Sequence, residues 1–179
     1  MSMLELILYA CPAGPLADQI TAFYATSQAR FGSNSAHAYP PHITLTGFFH
    51  DEAAALPGYL IALEAAYQQA QTSRPTQPVV IEALVTSPEF HGLLIDSPWL
   101  EALSADFANR AVSATRPGPL RLKRDLHLSL AYGFAAEHGP ALGTLAQAMV
   151  DPAAPVTWQL ELYQRHADGR WQSHASWPI

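Results

Sequence analysis

The chain has 179 residues, of which 49% are apolar and 13% charged, and its formal net charge is −6. That is ample material for one buried core, and it excludes disorder over most of the length. Nine Lys and Arg against fifteen Asp and Glu exclude a basic stripe for duplex DNA or long RNA, and leave a small anionic ligand or a nucleic-acid end as the charge-compatible partner. One cysteine, Cys11, excludes an intramolecular disulfide framework and a cysteine zinc site, and suits a reducing compartment.

The elements are expected in the order β-α-β-α-ββ-α-β-α-ββ. Met3 to Tyr9 is an apolar run without a basic flank and interrupted by Glu5, so it is expected as a first strand, not a signal sequence. Pro12-Ala13-Gly14-Pro15 is a turn signal. Leu16, Ile20, Phe23 and Tyr24 recur at helical spacing up to Gly32. A polar loop, Ser33 to Pro41, leads into a strand from His42 to Phe49, since Pro40-Pro41 favours extended backbone. Leu56, Leu60, Leu63 and Tyr67 predict a helix over 51–70. Pro78 to Thr86 and Phe90 to Asp96 predict a hairpin.

Ser97-Pro98 opens a third helix, with Leu100, Leu103, Phe107 and Val112 on one face. Pro117-Gly118-Pro119 then breaks the chain in a stretch that holds Arg116, Arg121, Lys123 and Arg124, four of the nine cations. It reads either as a solvated loop or as a phosphate-attracting rim. A strand from Leu126 to Phe134, a helix from Glu137 to Val150 and a final hairpin about Asp168-Gly169 complete the order. No apolar run approaches the roughly 20 residues needed to span a bilayer, so a cytoplasmic protein of one domain, residues 1–179, is expected.

Two stretches repeat one pattern: His42-Ile43-Thr44-Leu45 and His127-Leu128-Ser129-Leu130. Alternation along a strand puts His and hydroxyl on one face and the two aliphatic residues on the other. If both strands face one cleft, two imidazoles flank a reacting phosphorus atom. Imidazole titrates near neutrality, so one can take a proton from water while the other gives one to the leaving oxygen. The hydroxyls of Thr44 and Ser129 can donate to non-bridging oxygens. The scheme needs no metal or cofactor. The similar halves are expected to meet about a pseudo-two-fold axis, and which histidine is the base stays open.

The paired motifs, with Ala131-Tyr132-Gly133 after the second, resemble those of the 2H phosphoesterase superfamily, which includes the 2′-5′ RNA ligases and the cyclic phosphodiesterases. The resemblance implies an α+β, bilobal fold, with antiparallel sheets lining a central groove and helices outside. It implies His42, Thr44, His127 and Ser129 as the catalytic quartet. Tyr132, Lys123 and Arg124 are expected to contact substrate. The expected activity is metal-independent opening of a cyclic phosphate, on a 2′,3′-cyclic nucleotide or an ADP-ribose cyclic phosphate. The alternatives are an enzyme of RNA 3′ ends and a non-catalytic nucleotide-binding module.

Overall fold

A computed structural model describes residues 3–179. The first strand, β1 (Met3–Ala13), runs four residues beyond Tyr9 through the expected turn, because every residue from Leu6 to Ala13 finds a partner on β7 (Thr157–Arg165). Gly14, with φ +84°, then turns the chain into α1 (Pro15–Phe31). The helix buries Leu16, Ile20, Phe23 and Ser27, one face at intervals of three and four residues.

The first motif yields less strand than expected. Only Ile43–Thr44 forms β2. Thr46 bridges to Leu122, and β3 (Phe49–Glu52) leaves to pair with the start of β1. The segment Asp51–Ala55, expected as the beginning of a helix, is the end of β3 followed by one 3-10 turn, and α2 starts at Leu56 (Leu56–Gln71). Edge pairing of β3 with Met3–Leu6 outweighs the helix propensity of the alanines there.

The hairpin β4 (Val80–Thr86) and β5 (Phe90–Asp96) follows. In α3 (Pro98–Arg110) the Ser97 hydroxyl caps the first turn by accepting from the Leu100 amide at 3.1 Å. The helix stops at Arg110, short of Val112, which is 85% exposed and not on the buried face expected of it. β6 (His127–Tyr132), α4 (Gly139–Met149), β7 and β8 (Trp171–Pro178) complete the chain.

The strands form one antiparallel sheet in the order β4-β5-β6-β2-β1-β7-β8, with β3 also on β1. Its centre is the contact between the two motifs, where Ile43 pairs with Leu128. The unit β1-α1-β2 on one side of this contact corresponds to β5-α3-β6 on the other. The hairpin of the first half is seated on the motif strand of the second, since β5 pairs with β6. Ile43, Leu45, Leu128 and Leu130 are fully buried in one core with Leu6, Leu8 and Phe23. No helix among the described residues is long and apolar enough to cross a membrane.

Candidate active site

The face of the sheet opposite that core carries a cleft of about 370 Å³, and all four motif side chains, His42, Thr44, His127 and Ser129, line it. On β1 the same alternation sends Ile7 and Tyr9 to the cleft and Leu6 and Leu8 to the core. The two motif strands lie side by side, so the two imidazoles share one cavity.

The imidazoles are held in the same way. His42 Nδ1 lies 2.7 Å from the carbonyl oxygen of Pro40, and His127 Nδ1 lies 2.9 Å from that of Asp125. Each partner is the carbonyl two residues upstream. A carbonyl only accepts, so Nδ1 carries the proton in both rings and Nε2 is left for chemistry. At the first motif, Pro40-Pro41 holds the backbone extended before the histidine. At the second, Asp125 adopts φ +54°, a left-handed conformation that costs on the order of 1 kcal/mol or more and turns its carbonyl towards the ring.

Their surroundings differ. His42 stacks on Tyr9 with ring centroids 3.8 Å apart and has Tyr39 at 5.7 Å. Burial drives its imidazole down to about 4, with the Pro40 hydrogen bond opposing and repulsion from His127 adding to the fall. It is therefore neutral at pH 7. Its Nε2 lies 3.1 Å from the Thr44 hydroxyl, which donates to it in that state. Among the described residues His127 has one aromatic ring neighbour, Phe90, edge-on at 5.4 Å. Gly92 makes room for that ring, because a Cβ there would meet Phe90 and lie 2.6 Å from the Leu128 carbonyl.

Tyr132 lines the cleft, though by strict alternation it would share the core face with Leu128 and Leu130. The pairing of β5 with β6 slips between His91 and Gly92, which oppose Ala131 and Ser129 and leave Leu130 without a partner. That extra residue re-aims everything after it. The Tyr24 hydroxyl reaches from α1 to the Ser129 carbonyl at 2.7 Å and ties the helix to the second motif.

Of the four clustered cations, Arg121 and Lys123 line the cleft. They are placed by pairing of 121–123 with 45–47: Gly47 donates to the Arg121 carbonyl at 2.7 Å, and Lys123 to the Leu45 carbonyl at 2.9 Å. Arg124 is not brought there; it lines a separate depression with Glu101 and Asp125, which Lys123 also borders. Arg116 turns inward to the Tyr59 hydroxyl and the Ala111 carbonyl, both at 2.9 Å. Sequence reasoning missed Tyr9 and Tyr39. It named Arg121 as part of the cationic cluster but expected Lys123 and Arg124, not Arg121, to contact substrate. The six other histidines lie away from the cleft lining, and among the described residues no group of three or more His, Cys, Asp or Glu side chains is arranged to hold a metal ion.

The fold is shared with solved structures. Over 99% of both chains the structure matches LigT of E. coli complexed with ATP, with a TM-score of 0.55 and 15% identity. It also matches the crystal structure of a phosphoesterase over 99% of both chains, with a TM-score of 0.53 and 17% identity. The chain has the fold of these proteins, an antiparallel sheet with helices packed on it. At closer sequence distance, the ubiquitin-associated and SH3 domain-containing protein B of Mus musculus is 35% identical over 173 residues, 95% of this chain and 26% of that protein. The ecdysteroid-phosphate phosphatase of Bombyx mori is 30% identical over 181 residues, 98% of this chain and 26% of that protein. The chain thus spans about a quarter of the length of these relatives. No family model matches it.

Proposed function

We propose that the chain is a phosphodiesterase that opens a 2′,3′-cyclic phosphate by acid–base catalysis between His42 and His127, without a metal ion. The observation that carries this reading is the matched tethering of the two imidazoles, each Nδ1 on the carbonyl two residues upstream, so that both offer Nε2 to one cleft. Support comes from the phosphoesterase fold and from a relative named as a phosphatase. The cleft lining contains no carboxylate, the donor type that a divalent pair at a phosphate needs.

His42 is the base. Its depressed proton affinity leaves Nε2 unprotonated at neutral pH, and the negative charge of a bound phosphate raises that affinity towards the useful range. Water attacks phosphorus as His42 Nε2 takes its proton. The new Nε2–H then donates to the Thr44 oxygen, which frees the Thr44 proton for a non-bridging oxygen. His127, in its imidazolium form, gives its Nε2 proton to the ribose oxygen as the phosphorus–oxygen bond of the ring breaks. Ser129 supplies a second hydroxyl to the phosphoryl oxygens, and the product is a nucleoside monophosphate ester.

The test is hydrolysis of 2′,3′-cyclic AMP in excess EDTA. Full activity with the chelator is expected. Activity that disappears with EDTA and returns with a divalent ion would refute the metal-free scheme.

A further inference from the structure

Arg121 and Lys123 stand in the cleft without a counter-ion. Both are exposed. Neither side chain is in a hydrogen bond or ion pair with a described residue, and no Asp or Glu lines the cavity. Of the nine cations, Arg110, Arg165 and Arg170 are each salt-bridged to a carboxylate, and Arg116 is bonded to a hydroxyl and two carbonyls. The other five, Arg30, Arg74, Arg121, Lys123 and Arg124, have no side-chain partner among the described residues, and of these Arg121 and Lys123 are the two that line the cleft.

The reacting group does not account for them. A cyclic phosphodiester carries one negative charge, and His127, Thr44 and Ser129 already meet it in the scheme above. Arg121 and Lys123 lie on the segment just before the second motif, opposite Gly47 and Leu45. Alternation about Leu122 puts both on the cleft side. Gly47 is part of the arrangement: a Cβ there would lie 2.8 Å from Arg121 Nη2 and 3.1 Å from its Nε. The bare backbone at Gly47 is where the guanidinium rests.

We propose that Arg121 and Lys123 form a subsite for a second phosphate. The substrate class is then a nucleoside cyclic phosphate with a further phosphate elsewhere on the molecule. With the 2′ and 3′ oxygens in the ring, the ribose position left for it is the 5′ oxygen. The inference rests on the cyclic-phosphate reading of the same cleft. A planar guanidinium and a mobile ammonium on one phosphate give bidentate and point-charge contacts together.

Calorimetric titration with adenosine 2′-monophosphate and adenosine 2′,5′-bisphosphate tests this without turnover, so failure of hydrolysis leaves the result intact. The second phosphate should tighten binding by about tenfold or more, each tenfold being about 1.4 kcal/mol. In the Arg121→Gln, Lys123→Gln double variant that gain should shrink to within about twofold. Gly47→Ala, whose methyl displaces the guanidinium, should lose part of it. A dinucleotide ending in a 2′-phosphate separates the two sources of the group. An equal gain assigns it to an RNA end, and a lesser one to a free nucleotide. A bisphosphate that binds no more tightly than the monophosphate would overturn the proposal, as would a gain that survives in the double variant.

Discussion

His42 and His127 stand in matching sequence motifs and in different spatial surroundings, and in the proposed mechanism that difference divides the labour between them. Tyr9 and Tyr39 enclose His42 and keep it neutral. This has a stability consequence whose sign follows from linkage. The folded-state pKa, about 4, lies below the unfolded value near 6.5. The folded form therefore binds fewer protons than the unfolded form between those values. The contribution is fully present above pH 6.5 and is lost as pH falls to about 4, a difference on the order of 3 kcal/mol. Urea unfolding of wild type and His42→Asn at pH 7 and pH 4.5 checks it: the variant should lose much less stability on acidification. An equal loss in both proteins would contradict the burial argument. In kinetics, the acid limb of kcat/KM should fall nearer pH 4 than pH 6.5.

At the scale of elements, the cationic arm is held in place by a buried carboxylate. Asp51, at the end of β3, is fully buried. It accepts from the Tyr59 hydroxyl of α2 and from the Thr115 hydroxyl, each at 2.5 Å, and from the Glu52 amide at 2.8 Å. Burial pushes its carboxyl up, but the bonds from Ser113, Thr115, Tyr59 and the Glu52 amide outweigh it and bring it to about 2. Arg116 closes the network on Tyr59. The segment that leads to Arg121 and Lys123 is thus moored to two elements before it reaches the cleft. Asp51→Asn replaces one acceptor oxygen with an NH2 donor that faces other donors, and should cost about 2–3 kcal/mol. It should also weaken binding of a doubly phosphorylated ligand, measured by the same titration.

Gly92→Ala tests another support. The methyl meets the Phe90 ring and a backbone carbonyl, and should cost about 1–3 kcal/mol by overpacking in urea unfolding.

These elements also show what a sequence can and cannot carry. The quartet is legible because hydroxyl and imidazole share a parity on both strands, and that parity survives folding. Tyr132 keeps its place in the cleft only through the unpaired Leu130, which no periodicity announces. Tyr9 is hidden because β1 is apolar on both faces, so nothing marks its cleft side. The cations of 116–124 are legible as a cluster, but which of them reach the cleft depends on pairing with Leu45–Gly47. Tertiary register decided in favour of Arg121 over Arg124.

At the scale of the whole molecule, the halves are interleaved. The hairpin of the first half completes the sheet around the second motif, and β7, from the second half, covers β1. Neither motif strand has its neighbours until both halves are present, so the chain should unfold as one cooperative unit. Coincident urea transitions by far-ultraviolet circular dichroism and by tryptophan fluorescence would bear this out, with Trp99 in α3 and Trp158 in β7 reporting from different regions. Two separated transitions would mean two independent domains.

The division of roles is tested most directly by changing the leaving group. A nitrophenyl phosphodiester of a nucleoside expels an anion that needs no proton, whereas a cyclic phosphate expels a ribose oxygen that does. His127→Ala should lose about 10²–10⁴-fold on 2′,3′-cyclic AMP and about tenfold or less on the nitrophenyl ester, while His42→Ala should lose heavily on both. The reverse pattern, with His42→Ala rescued by the better leaving group, would contradict the assignment. Undiminished activity of either variant on the cyclic substrate would contradict the paired-histidine mechanism itself.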